Sequence, residues 1–322
     1  MRSLTAKEYH RPVMTQEVLD VFDLAPGGTY LDATLGGGGH TEALLSHRDD
    51  LYAVAVDRDE EAIEAATKRL KRFGGRVEIV HSDVASYVHS VLRDSKAARR
   101  FVGVIADLGV SSRHFNEEER GFSLTGHAIL DMRMDRSQSL SAYEVVNQYS
   151  QEELVAIFRR YGDVAFAGRV ARTIVENRPI SYSDELAELV RKAIPKKAVS
   201  FHIHPATTVF QAIRIEVNQE FKQLQELLES CKSLVVPGGV VVVISYHSGE
   251  DRLVKLFMRE ATTDRCSCPP QLPCVCGKTR WAKALTRRPI VATEDEVSSN
   301  PRARSAKLRA IQRLHQEEVR GI

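Results

Sequence analysis

Apolar positions along this chain follow two periods that alternate. Helical spacing over residues 13–24 gives way to a short strand at Tyr30-Leu31-Asp32, and Val54-Ala55-Val56-Asp57 reads as a second strand. Helical spacing resumes over 60–72, a strand fits 77–81, and Phe101-Val102-Gly103-Val104-Ile105-Ala106-Asp107-Leu108 has the continuous apolar character of a strand buried on both faces. Repeated strand-helix alternation predicts an α/β fold with a mostly parallel, Rossmann-like sheet. The rhythm breaks after Asp107. Residues 109–135 are loop-like, and then come helices, the first announced by the capping box Ser150-x-x-Glu153. Two more are predicted over 166–176 and 183–194, so this stretch reads as a helical insertion. Over 208–234 Phe210, Ile213, Val217, Phe221, Leu224 and Leu228 form one apolar stripe. After Pro237-Gly238-Gly239, the run Val240 to Ser245 must be a central strand, and the alternation over 305–311 predicts an edge strand closing the sheet. The expected organisation is a core in two parts, 1–118 and 206–322, interrupted by a mostly helical insertion at 119–205.

Between the first two strands lies Leu35-Gly36-Gly37-Gly38-Gly39-His40. Glycines at a strand-helix turn let the backbone approach a ligand, and Asp57, ending the next strand, can accept hydrogen bonds from a ribose diol. A nucleoside-containing cofactor is expected. The dinucleotide fingerprint needs a third small residue, but Thr41 or Glu42 stands there, which weakens NAD. Gly277-Lys278-Thr279 lacks the first glycine of a phosphate loop, having Leu272 in its place. S-adenosylmethionine carries no phosphate and fits better.

Apolar content of 43% and charged content of 27% are those of a globular chain, and no stretch has the apolar length needed to cross a bilayer. A cytoplasmic location, without membrane attachment, is expected. The net charge is only +2. Yet residues 278–313 carry ten Lys or Arg against three acids, a pattern suited to phosphate contact or to a solvated tail. Basic residues also recur along the insertion, including Arg159, Arg160, Arg169 and Arg172. Of five cysteines, Cys266, Cys268, Cys274 and Cys276 crowd into the loop 264–278, where four thiolates could bind zinc, although C-x-C spacing is tighter than the usual knuckle. Reduced loop thiols are the alternative. Cys231 sits in a helical pattern and is expected to be packed. His202 and His204 lack matching partners and suit a turn.

In an open parallel sheet, ligands bind beyond the carboxyl ends of the strands, where Asp57, Asp107 and Ser245-Tyr246-His247 all fall. Asp107 is the candidate to hydrogen-bond an acceptor, with Asp131 and Asp135 as rivals whose other reading is a loop ion pair with Arg133 or Arg136. No cysteine stands at a suitable strand end, which disfavours methylation of a pyrimidine carbon and favours an exocyclic amine. Thr207, Gln211, Arg214 and Asn218 form a polar row on the apolar helix, suited to a ligand-facing surface or to ordinary exposure.

Taken together, His10-Arg11-Pro12-Val13, Leu31 to His40, Val56-Asp57-Arg58-Asp59, Asp107-Leu108-Gly109-Val110-Ser111-Ser112, Glu119 to Ser123, Leu130 to Asp135, His204 to Thr207, Phe210 to Asn218 and Asn300 to Ser305 resemble one family, the bacterial small-subunit ribosomal RNA cytosine-N4 methyltransferases of type H. The resemblance spans nearly the whole chain. It implies a class I S-adenosylmethionine-dependent methyltransferase with a helical insertion that recognises RNA, acting on the N4 amine of a cytidine in the decoding region of 16S rRNA in the small ribosomal subunit. Cofactor contacts would fall on Gly38, Gly39, His40, Asp57 and Asp107. Two further cofactor positions depart from the family pattern: an aromatic residue is Val84 here, and a glutamine is His114. The string His247-Ser248-Gly249-Glu250-Asp251-Arg252 has Gly249 where the family has leucine. The sequence leaves open whether the chain forms a homodimer, and two other classes remain to be separated by experiment, an NAD-linked oxidoreductase and a non-catalytic ribosome-assembly protein.

Overall fold

A computed structural model describes residues 12–94, 99–109, 120–124, 126–195, 204–264 and 279–319. The chain divides into two compact units, residues 1–109 with 223–322, and residues 110–222.

The first unit is built on an eight-stranded sheet in the order β3 (Val77–His81), β2 (Leu51–Asp57), β1 (Gly28–Asp32), β4 (Phe101–Asp107), β5 (Val235–Ser245), β8 (Lys307–Arg313) and β6 (Ala282–Ala284), with β7 (Ile290–Val291) also pairing with β8. Its first elements are α1 (Thr15–Phe22), β1 (Gly28–Asp32), α2 (Gly39–His47), β2 (Leu51–Asp57), α3 (Glu60–Leu70), β3 (Val77–His81), α4 (Val84–Arg93) and β4 (Phe101–Asp107). Neighbours from β3 through β5 run parallel, with Leu31 opposite Val54 and Val104 opposite Val241. Alternate residues serve opposite faces. Leu31, Val54, Val104 and Val241 join a core with Tyr87 and Val88 of α4, while Tyr30, Ala53, Ile105 and Val240 join another with Phe22 of α1 and Leu44 of α2. The strand order reverses direction at β1, between β2 and β4, so the carboxyl ends of β1, β2 and β4 surround the switch point. This is the mostly parallel α/β sheet that the strand-helix alternation predicts.

In the second unit four helices, α5 (Ala142–Gln148), α6 (Gln151–Gly162), α7 (Ala167–Glu176) and α8 (Ser183–Ala193), share one core with α9 (Thr207–Asn218). The predicted capping box starts α6: the Glu153 N–H donates to Ser150 Oγ, and the Ser150 N–H to Glu153 Oε2. This unit is wider than the predicted insertion. Phe210, Ile213 and Val217 of α9 pack with Leu154, Phe158 and Val170, so α9 belongs with the insertion helices and not with the sheet.

The single helix expected over 208–234 is two. Gln219 adopts left-handed φ of 49° between α9 and α10 (Glu220–Leu234), and the apolar stripe divides there, with Leu224 and Leu228 packing under the sheet. The chain continues through β5 (Val235–Ser245), α11 (Ser248–Thr262), β6 (Ala282–Ala284), β7 (Ile290–Val291) and β8 (Lys307–Arg313). β8 is not the expected edge. It lies between β5 and β6, antiparallel to both. The basic segment is correspondingly no loose tail: Lys307 and Arg309 pair with Asp251, Arg280 pairs with Asp264, and Arg313 donates to the Val235 carbonyl. Among the described residues, no helix is long and apolar enough to cross a membrane.

Candidate active site

The glycine turn follows β1 directly. Gly36 has φ of 49° and Gly38 φ of 76°, a region that favours glycine, and Gly38 caps α2 with its N–H donating to the Leu35 carbonyl at 2.8 Å. Both positions share that backbone restriction, but the space around them differs. At Gly38 a Cβ would lie 3.1 Å from Leu70 Cδ1 and 3.3 Å from Ala66 Cβ of α3, so the glycine also serves packing. At Gly36 a Cβ would meet only the Thr34 carbonyl at 3.9 Å, leaving open ground before the turn. Gly39 begins α2, and a Cβ there would sit 3.0 Å from Pro12. Arg69 donates to the Gly37 carbonyl at 3.1 Å and pairs with Glu42, so this cation beside the turn is already committed.

Asp57 fastens the turn to β2. Its Oδ2 accepts the Gly36 N–H at 2.7 Å and its Oδ1 the Asp59 N–H at 3.0 Å. Burial pushes its carboxyl above the usual range, against the pull of those two N–H donors. Each oxygen keeps a second lone pair for a ligand hydroxyl. Asp32, at the end of β1, is buried beneath: it accepts from Thr41 Oγ1 at 2.6 Å and from the Thr34 N–H at 3.1 Å, and burial raises its carboxyl too.

Asp107 ends β4 beside the turn. Its N–H donates to Thr34 Oγ1 at 2.7 Å, and its Oδ1 accepts from the Tyr246 hydroxyl at 2.7 Å. Its Oδ2 lies 3.4 Å from His40 Nε2. His40 is 6% exposed, and neither ring nitrogen has a hydrogen-bond partner among the described residues. A buried polar ring without a partner costs stability and suits a site that a ligand completes. Tyr246 follows β5, and its phenol is pushed far up by burial and by the charge of Asp107, so it stays protonated and donating. The structure thus brings Gly38, Gly39, His40, Asp57 and Asp107 to one end of the sheet, and adds Thr34, Asp32 and Tyr246. Val84 opens α4, immediately after β3. His114, His202 and the four clustered cysteines lie outside the described residues; among those described, no group of three His, Cys, Asp or Glu could hold a metal ion.

The remaining candidates have local partners inside the second unit, and here the ligand-facing reading of the polar row is corrected. Asn218 is 1% exposed: its Oδ1 accepts the Met134 N–H at 2.8 Å, and its Nδ2 donates to the Met132 and Arg214 carbonyls. Arg214 makes a two-pronged ion pair with Glu220 at 2.8 and 2.9 Å, both side chains largely buried. Gln211 donates to the Tyr161 carbonyl at 3.2 Å. These residues stitch α9 to its neighbours. Asp131 is likewise engaged, with Arg133 donating to both its oxygens at 2.7 and 3.2 Å, and Asp135 accepts the Ser137 N–H. His204 takes the turn role, accepting the Ala206 N–H at the start of α9. Cys231 is packed as expected, fully buried, with its thiol pushed up to about 12.

The model of the MraW methylase family matches residues 7–314. The chain belongs to that family. Its relatives in the MraW family align nearly end to end: ribosomal RNA small subunit methyltransferase H of Nitratiruptor sp. is 45% identical over 305 residues, 94% of this chain and 98% of the relative. Proteins of that same name from Trichormus variabilis and Geobacter sp. are 46% and 45% identical over 311 residues each, covering 96% and 95% of this chain.

Proposed function

We propose that this MraW-family methylase transfers a methyl group from S-adenosylmethionine to the exocyclic N4 amine of a cytidine in the decoding region of 16S rRNA. The observation that carries the reading is the carboxylate of Asp107 at the end of β4, one oxygen tethered and the other accepting no hydrogen bond among the described residues, beside the glycine turn. The small-subunit rRNA in the relatives' name supports the substrate class. An amine acceptor is supported because Cys231, the one cysteine among the described residues, is buried with a raised thiol pKa and offers no nucleophile for attack on a ring carbon.

The residues fit the cofactor. Gly36 leaves space before the turn, Asp57 keeps lone pairs for a ribose diol, and Arg69 beside the turn is engaged by Glu42 and the Gly37 carbonyl and not held ready for a pyrophosphate. The bound cofactor supplies a methyl group on a sulfonium and departs as a neutral thioether. An amine that accepted that methyl group would have to lose one proton. Asp107 would orient the amine, whose lone pair is otherwise delocalised into the ring, and take that proton at Oδ2. Phosphate contact falls to exposed cations of the insertion, where Arg159, Arg160, Arg169 and Arg172 pair with no carboxylate among the described residues.

The test uses small subunits from cells lacking the protein, incubated with it and methyl-labelled S-adenosylmethionine, with the label mapped by nuclease digestion and mass spectrometry. Label on a decoding-region cytidine N4 is expected. Subunit binding without any transfer would favour the assembly-protein reading and sink this one.

A further inference from the structure

We propose that Tyr246 is a positioning residue, which turns Asp107 so that one chosen oxygen, Oδ2, receives the amine hydrogen. The inference rests on the amine-methylation reading above. Its basis is the unequal situation of the two carboxylate oxygens. Oδ1 is occupied by the Tyr246 hydroxyl at 2.7 Å. Oδ2 accepts no hydrogen bond among the described residues; its nearest polar neighbour is His40 Nε2 at 3.4 Å, an atom that is itself without a hydrogen-bond partner. A carboxylate on a strand end can rotate about its last bond and offer either oxygen. Held at one oxygen by a charge-assisted hydrogen bond, it offers the other in a single direction.

Tyr246 is built for this. Its N–H donates at 2.9 Å to Glu250 Oε2, and Glu250, 3% exposed, caps the start of α11, so the tyrosine backbone is fixed by the helix that follows it. On the other side the ring lies over Gly109, where a Cβ would come within 3.4 Å of Tyr246 Cδ2; at φ of 101° Gly109 leaves the ring its place. The phenol remains a donor throughout the working pH range and takes no proton from Asp107. No other side chain among the described residues donates a hydrogen bond to that carboxylate.

The Tyr246→Phe variant tests this, because it keeps the ring and removes only the hydrogen bond. Transfer to small subunits should show kcat reduced about ten- to a hundredfold, the range set by loss of one hydrogen bond to a charged group. The KM for subunits and the Kd for S-adenosylhomocysteine by calorimetry should stay within about twofold, since neither ligand needs Oδ1. A variant with the kcat of the wild type overturns the inference, and so does one that no longer binds S-adenosylhomocysteine, which would make the hydroxyl a prop of the whole site. If the wild-type protein itself leaves no label on cytidine N4, the functional reading fails instead, and the two failures are told apart in one assay.

Discussion

Asp57 is half-buried, accepts from two backbone N–H donors, and is the residue expected to meet the ribose. Its raised folded pKa has a consequence for stability. Between the unfolded value of 3.8 and the higher folded value the native state binds the extra proton, so Asp57 favours folding most below 3.8. That contribution is lost as pH rises through the folded value. The Asp57→Asn variant should therefore show a shallower loss of unfolding free energy in urea between about pH 4 and pH 7 than the wild type, while binding S-adenosylmethionine at least about tenfold more weakly. Equal slopes would show that the buried charge is not what the pH dependence reports; Asp32, shifted the same way, keeps a residual slope in both proteins. Residues such as Asp57 were legible in the sequence because turn, strand and acid follow one another along the chain. Tyr246 was not, because its partner Asp107 is 139 positions away and only the pairing of β4 with β5 brings them together.

Among elements, α9 shows where periodicity stops informing. Spacing places Gln211, Arg214 and Asn218 on one face but does not say what that face meets, and it met the chain's own carbonyls and Glu220. The helix break at Gln219 was equally hidden, since a left-handed glutamine has no composition signal while the apolar stripe runs on past it. Capping boxes and strand ends, which depend on neighbours in sequence, were read correctly. Asn218→Ala would leave the Met134 N–H and the Met132 carbonyl without their buried partner, and urea denaturation should record a loss of about 2–4 kcal/mol. A variant as stable as the wild type but impaired in RNA binding would restore the ligand-facing reading of that row.

At the scale of the molecule, the two units divide the expected labour. The residues proposed to face the cofactor lie in 1–109 and 223–322, whereas the exposed arginines Arg159, Arg160, Arg169 and Arg172 lie in 110–222. Replacing those four with glutamine should weaken subunit binding and lower the slope of log affinity against log salt by about 3, with S-adenosylhomocysteine affinity unchanged; an unaltered slope would remove them from the phosphate contacts. This division was visible in the sequence as a break in rhythm after Asp107, although the second unit's extent depended on which core α9 joins. The placement of β8 carries a last consequence, for the order of assembly. Strands β4 and β5 pair directly although the residues of the whole second unit intervene between them in sequence, and β5 pairs on its other side with β8, which follows it by about sixty residues. Such long-range pairing folds slowly, and a growing chain short of residues 307–313 still presents Val240 to Ile244 along an unpaired edge. A chain without those residues therefore cannot hold Asp107 against Tyr246 on a finished sheet, and the site is completed only when β8 joins β5.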